Sequence, residues 1–195
     1  MYTFKIYLLV FFIRYSATSS SDPGIFKKEY LNPKSVDHRK FSGRWYAHMD
    51  TLNTTFRDNT FGDVVVLCDE RINVVHIIHR WIPSLEECRS TAISFQPAKS
   101  DSPKGEFIRM STNDNLGKMK IRYFDPHPTK GFNVVHRQTR HLPNSYVILS
   151  RQRDPRDLEK AIKQVLRALD LDDGDFYVKS KDFGCERTEE KGIKL

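Results

Sequence analysis

Hydrophobic and polar residues alternate through the middle of this chain, and a period of two is typical of β-strands that have one buried face. The alternation is cleanest where Met119, Ile121 and Tyr123 are interleaved with basic residues. Turn-like connections separate eight such segments, which suits an antiparallel sheet that closes on itself, although a Greek-key sandwich would have similar strands. The predicted strands are Gly43 to Asp50, Asp63 to Asp69, Asn73 to Arg80, Cys88 to Phe95, Gly105 to Ser111, Lys118 to Phe124, Phe132 to Gln138 and Ser145 to Arg151.

The period changes after Arg151, where apolar residues recur every three or four positions. Asp154 is expected to cap a helix and Pro155 to take its first position, because aspartate accepts hydrogen bonds at an N-cap and proline needs no donor there. The stripe predicts a helix of about four turns. Its residues are Leu158, Ala161, Ile162, Val165, Leu166 and Leu169. One further short strand is expected from Asp175 to Ser180.

The first 20 residues have the features of a secretory signal peptide. A basic start is followed by eight apolar residues from Ile6 to Ile13, too few to cross a bilayer. The sequence therefore predicts a secreted, extracellular protein without stable membrane insertion. Residues 21–35 are polar and contain two prolines, which predicts a flexible lead-in. A single domain at 36–185 and a charged tail at 186–195 are expected to follow.

Composition and charge exclude some partners. The chain is 38% hydrophobic, enough for a core, and its formal net charge of +7 falls to about +5 without Lys5 and Arg14 of the leader. The basic residues are interleaved with acidic ones and lack aromatic stacking platforms, so nucleic acid is not an expected partner. His76 and His79 would leave opposite faces of a strand, which disfavours a shared metal ion. We expect neither a metal nor another cofactor.

Gly43-Arg44-Trp45 resembles the first-strand signature of the lipocalins. The order of eight strands, an arginine that closes the last strand, one helix, a short strand and a late cysteine is similar to that family over Val36 to Cys185. The resemblance implies an up-and-down antiparallel β-barrel whose floor is closed by Trp45 and covered by Arg151, with Gly43 admitting close backbone approach. The turn after the sixth strand departs from the family, since only the aspartate of its Thr-Asp-Tyr motif is present.

Three cysteines in a secreted chain imply one disulfide and one remaining thiol. The resemblance implies that Cys88 pairs with Cys185, while a Cys68 to Cys185 bridge stays open because sequence does not fix connectivity. A free Cys68 would be similar in placement to the nucleophile of the family's enzymatic, prostaglandin D synthase type. Catalysis would require a neighbour that lowers the thiol pKa, and an inert buried thiol is the competing interpretation. The candidate neighbours are His76, Ser90, Ser94 and Tyr123.

Strand parity counted from Trp45 predicts the residues that line the barrel. These candidate ligand-binding residues are Ala47, Met49, Val64, Val66, Cys68, Met119, Ile121 and Tyr123. An eight-stranded barrel holds one small ligand, and the resemblance implies a hydrophobic one such as a fatty acid, retinoid, steroid, pigment or odorant. The expected function is therefore a secreted carrier. The alternatives are the thiol-dependent lipid isomerase and an extracellular interaction protein with a filled cavity.

Two further expectations concern the surface of the protein. Asn53-Thr54-Thr55 is an N-glycosylation sequon in the first long loop, as suits a secreted chain. A cell-surface receptor is a candidate partner, and a monomer or weak dimer is the expected state.

Overall fold

The computed structural model describes residues 25–34, 36–51, 60–68, 74–82, 87–98, 105–109, 117–139 and 144–179, and for residues 38, 60–68, 79–82, 109 and 139 it describes the backbone alone. The first eight strands in this part of the chain overlap the eight predicted segments. The strands are β1 Gly43–Asp50, β2 Thr60–Cys68, β3 Val74–Ile82, β4 Glu87–Pro97, β5 Glu106–Arg109, β6 Gly117–Phe124, β7 Phe132–Thr139, β8 Ser145–Ser150 and β9 Tyr177–Val178. The helices are α1 His38–Phe41 and α2 Glu159–Ala168.

Each strand from β1 to β8 pairs antiparallel with its neighbour in sequence. β1 also pairs with β8, where Ala47 lies opposite Leu149, so the pairing returns to its starting strand. β9 adds to β1 beside Met49 and Asp50. The predicted eight-stranded up-and-down barrel with one C-terminal helix is confirmed, and closure distinguishes it from a sandwich.

Two β-bulges divide the apolar residues between the barrel interior and the helix-covered outer face. One lies between Ala47 and Met49 in β1, and the other lies between Ile121 and Tyr123 in β6. An extra residue in one strand turns the following side chains to the opposite face. The result is one buried cluster inside the barrel and a second between the wall and α2.

Helix α2 begins later than the sequence indicated. Arg156–Leu158 form a 3₁₀ turn, and Leu158, the N-cap of α2, makes no side-chain capping bond. The N-cap of α2 is therefore Leu158 and not the predicted Asp154, which lies before the 3₁₀ turn and pairs with Arg156 at 2.8 Å. The predicted apolar stripe does pack against the wall. Burial of this stripe, with Leu158 fully buried, determines where the helix docks, since packing contributes more to helix stability than capping.

Residues 25–34 of the predicted flexible lead-in pack against the outside of the barrel. Lys28–Tyr30 form a 3₁₀ turn, and the Asn32 amide donates to the Arg122 carbonyl at 2.7 Å. Phe26 stacks on Tyr123 at 6.4 Å, and Tyr30 meets the same ring edge-on at 6.1 Å. This segment therefore covers the outer face beyond the bulge in β6.

Candidate ligand-binding site in the barrel interior

One end of the barrel is closed by three aromatic rings. Trp45 is fully buried, and its indole Nε1 donates to the carbonyl of Phe41 at 2.8 Å. The Phe41 ring lies 6.2 Å from Trp45 and 5.9 Å from Phe124, and the latter pair is edge-on. Helix α1 ends at Phe41 and so places this ring at the closed end of the barrel. We refer to Phe41, Trp45 and Phe124 as the floor.

Arg151 covers the floor from below. Its guanidinium carbon lies 3.6 Å from the centroid of the Trp45 ring, the contact that the family resemblance implied. Nη1 donates to the carbonyl of Arg44, and Nη2 donates to those of Lys40 and Ser42, each at 2.7 Å. Burial lowers the pKa of Arg151 to about 10, so the group is still a cation at neutral pH. A single side chain thus joins the end of β8 to three carbonyls around the start of β1.

Gly43 is required by both conformation and space. Its φ of +98° is rarely adopted by residues with a side chain, and a Cβ there would lie 3.1 Å from Nη1 of Arg151. The glycine of the sequence signature therefore permits the close approach of the guanidinium. Gly43, Trp45 and Arg151 form one contiguous structural unit.

The interior above the floor is predominantly apolar. Three of the predicted lining residues, Ala47, Met119 and Ile121, belong to this cluster and are almost fully buried. The other apolar members above the floor come from β3, β4, β5, β7 and β8. They are Val74, Ile78, Phe95, Phe107, Val135, Val147 and Leu149, with Ile93 packed against them.

Met49 and Tyr123 are not lining residues, because each follows a bulge that reverses strand parity. Both belong to the cluster that packs under α2 and the lead-in. Tyr123 stacks on Phe132 at 4.7 Å, and burial raises the pKa of its phenol well above the usual value. Strand parity counted from Trp45 therefore assigned the wrong face of the strand to these two residues.

Other predicted site residues lie beyond what the structure describes. Val64, Val66 and Cys68 are on β2, opposite Ile78, His76 and Val74, but their side chains are outside the described part. Asn53 and Cys185 fall outside the described residues altogether. Cys88 lies at an exposed position of β4, and its sulfur is bonded, so it is not a free thiol.

Two polar side chains that strand parity did not predict as lining residues also face the interior. Asn133 lies between Phe124 and Leu149 in register, and both are members of the interior cluster. His76 lies between the inward-facing Val74 and Ile78, with its ring 6.0 Å from Phe41 and 5.0 Å from Phe95. Burial, helped by the positive charge of Arg137, lowers the pKa of His76 to about 4. His76 is therefore neutral at physiological pH.

An ion pair lies higher in the barrel. Both Asp50 oxygens accept from Nη2 of Arg137, at 2.9 and 2.8 Å, and Asp50 is only 1% exposed. The nearby Lys179 has a pKa lowered chiefly by burial, while Asp50 raises it and Arg137 lowers it. The charge of Arg137 also helps lower the pKa of His76, so the ion pair influences the region beside the floor.

A concave groove of about 510 Å³ lies on the outer face of β5, β6 and β7. Lys118, Lys120 and Arg122 give it a basic wall, although Lys120 pairs with Glu106 at 2.5 Å and Arg122 donates to Asn32 at 2.7 Å. Burial, and less strongly the charges of Arg122 and Lys120, lower the pKa of His136 at its edge. Phe107 and Met119 of the interior cluster also contribute to its lining.

Among the described residues, no group of three or more His, Cys, Asp or Glu side chains is arranged to hold a metal ion. Nor is any helix in these ranges both long and apolar enough to cross a membrane.

The closed barrel, its aromatic floor and its outer helix define a lipocalin-like fold. The chain is similar to the crystal structure of the major allergen Per a 4 from cockroaches, with a TM-score of 0.59 and 16% sequence identity. That match covers 82% of this chain and 96% of the other, and at this identity it supports the fold alone. No protein-family model and no curated protein sequence matches the chain.

Proposed function

We propose that this protein is a secreted member of the lipocalin family that carries a small hydrophobic molecule inside its barrel. The observation that carries the proposal is the separation of two apolar clusters. The helix packs on the outer one, which leaves the inner one, above the floor, to surround whatever the barrel holds. Barrels of eight strands are of the size that encloses one small ligand. The fatty acid, retinoid, steroid, pigment and odorant classes remain its candidate ligands.

Native mass spectrometry of the purified protein, before and after organic extraction, tests the carrier function directly. We expect an extractable small molecule, and binding of the neutral fluorescent probe N-phenyl-1-naphthylamine by the extracted protein. Absence of both would favour the alternative, an interaction protein whose cavity is filled by its own side chains.

A matched pair of variants on β7 locates the binding. Val135→Phe adds bulk to the interior, whereas Gln138→Phe adds the same ring at an exposed position. Val135→Phe should weaken probe binding by about tenfold or more, corresponding to about 1.4 kcal/mol, while Gln138→Phe should not. Equal effects of the two variants would argue against an interior site.

The Cys88 sulfur is not a free thiol, and this supports the proposed disulfide between Cys88 and Cys185. Such a bridge would close a loop of nearly a hundred residues and contribute about 4 to 5 kcal/mol in the chain-entropy model. Peptide mapping without reduction tests it. Cys68→Ala should preserve the bridge and Cys185→Ala should abolish it, and the opposite pattern would assign the bridge to Cys68.

We propose that Cys68 is not catalytic, against the alternative of a thiol-dependent lipid isomerase. Of the neighbours that could activate it, Ser90 and Ser94 lie at exposed positions of β4, and Tyr123 packs on the outer face. His76 alone among those four faces the interior, where its low pKa makes it a weak base. Thiol titration of the folded wild type against Cys68→Ala should find no fast-reacting Cys68 at neutral pH. Rapid alkylation of Cys68 would instead favour the alternative function, a thiol-dependent lipid isomerase.

Secretion and glycosylation complete the proposal, with cleavage near residue 20 and a glycan on Asn53. Expression in a secretory host, followed by N-terminal sequencing and glycosidase treatment, tests both. A retained leader or an unchanged mass would contradict the respective claim. A cell-surface receptor and a monomeric or weakly dimeric state remain proposals, which binding to cells and sedimentation analysis would test.

A further inference from the structure

The most unusual feature of the interior is a buried amide beside the floor. Asn133 is 0% exposed, and neither Oδ1 nor Nδ2 has a hydrogen-bond partner. Its register partners, Phe124 on β6 and Leu149 on β8, both belong to the interior cluster, so the amide is surrounded by apolar groups. Buried polar groups without partners are rare in native proteins because they have lost their bonds to water and gained none.

A second buried polar atom without a partner lies near the same floor. Nε2 of His76 makes no hydrogen bond, and the ring is wedged between Phe41 and Phe95. Phe41 also contacts Phe124, the register partner of Asn133. The floor is thus flanked by one amide, which donates and accepts, and by one imidazole nitrogen.

The barrel also contains charged side chains. Arg137 on β7 and Asp50 on β1 form an ion pair, Lys179 just after β9 interacts with both, and the charge of Arg137 also helps lower the pKa of His76. Arg151, the cation that stacks on the floor, is already bonded to three carbonyls below it. A carboxylate only accepts hydrogen bonds and would leave Oδ1 of Asn133 without a donor, whereas a hydrocarbon end would leave the whole amide unsatisfied.

We propose that the molecule held in the barrel is an apolar alcohol or phenol whose hydroxyl reaches the floor and bonds to Asn133, with His76 as an auxiliary partner. A hydroxyl both donates and accepts, so it can satisfy Asn133 without bringing a charge. This inference rests on the proposed carrier function and narrows its ligand class, because a fatty acid would leave at least one atom of the Asn133 amide without a hydrogen-bond partner, whichever end entered first.

The test uses three probes with one ring system: naphthalene, 2-naphthol and 2-naphthoate. Each displaces N-phenyl-1-naphthylamine from the extracted, full-length protein, and the measured quantity is the affinity of each probe relative to naphthalene. Using a ratio cancels changes in the apolar contacts, which the three probes share. Wild type should bind 2-naphthol more tightly than naphthalene, and 2-naphthoate less tightly than 2-naphthol.

Asn133→Leu should lower the preference for 2-naphthol over naphthalene by about tenfold, because it replaces the amide with an apolar group of similar size. Gln138→Leu, the matched control on the exposed face of the same strand, should leave the preference unchanged. His76→Phe is the second variant and should give a smaller decrease, so the inference stays testable if Asn133→Leu does not fold.

Each result decides a different point. An unchanged preference in Asn133→Leu, or in His76→Phe when the first variant does not fold, would overturn the inference while leaving the carrier function in place. Tighter binding of 2-naphthoate than 2-naphthol by wild type would also overturn it. If wild type binds neither the fluorescent probe nor any naphthalene, the carrier function itself fails.

Discussion

Arg151 offers the most direct test of how the floor is held. Arg151→Met keeps much of the side-chain volume but removes three hydrogen bonds to the carbonyls of Lys40, Ser42 and Arg44, together with the stacking on Trp45. Charge-assisted bonds contribute about 1.5 to 3 kcal/mol each when well formed. The site is partly exposed and the freed carbonyls can bond to water, so we expect a net loss of about 2 to 4 kcal/mol.

Urea unfolding of the variants measures this loss, provided that the slope of unfolding free energy against urea stays constant. Arg151→Lys should lose about half as much, since an ammonium is a point charge that cannot bond to three divergent carbonyls and stack at once. Arg167→Met, at an exposed position of α2, is the control and should change stability by less than about 0.5 kcal/mol.

A spectroscopic measurement separates floor opening from general destabilisation. In a Trp81→Phe background only Trp45 remains of the two tryptophans, and its emission should shift to longer wavelength when Arg151 no longer covers the ring. A loss below about 1 kcal/mol for Arg151→Met would refute the reasoning, because the guanidinium would then contribute no more than a surface arginine.

Three other perturbations test the floor and the interior. Trp45→Ala should cost about 3 to 5 kcal/mol in urea unfolding, as expected for emptying a large aromatic from a core, and a loss below about 1 kcal/mol would mean that Trp45 closes nothing. Gly43→Ala should cost about 1 to 3 kcal/mol, since its φ is +98°; if the clash with the guanidinium dominates, combining it with Arg151→Met should recover part of that cost. Burial lowers the pKa of His76 to about 4 from 6.5, so the unfolded state takes up its proton first as pH falls. Stability relative to His76→Phe should decrease by about 3 kcal/mol between about pH 6.5 and 4 and then level off, and parallel curves for the two proteins would exclude this linkage.

The sequence alone determined the strands, the helix and one ring of the floor, that of Trp45. Alternation with a period of two located β1 to β8, because each strand has side chains on two faces with different surroundings. The change to a period near 3.6 located α2 for the same reason. Gly43, Trp45 and Arg151 were identifiable through their resemblance to the lipocalin signature residues, each of which performs a task that few other residue types can perform.

Which face of each strand points inward was decided by the tertiary structure. A bulge adds one residue to one strand, and no composition signal marks the bulges that moved Met49 and Tyr123 to the outer face. The pattern of β7 does not reveal its inward face, because α2 covers the outer face and both faces are therefore buried. Phe132 and Val134 pack outward in the cluster under the helix, while Asn133 and Arg137 lie on the inward face. Alternation reveals that two faces differ, but which of them is enclosed depends on what packs against each, and only the closed barrel with its helix settles that.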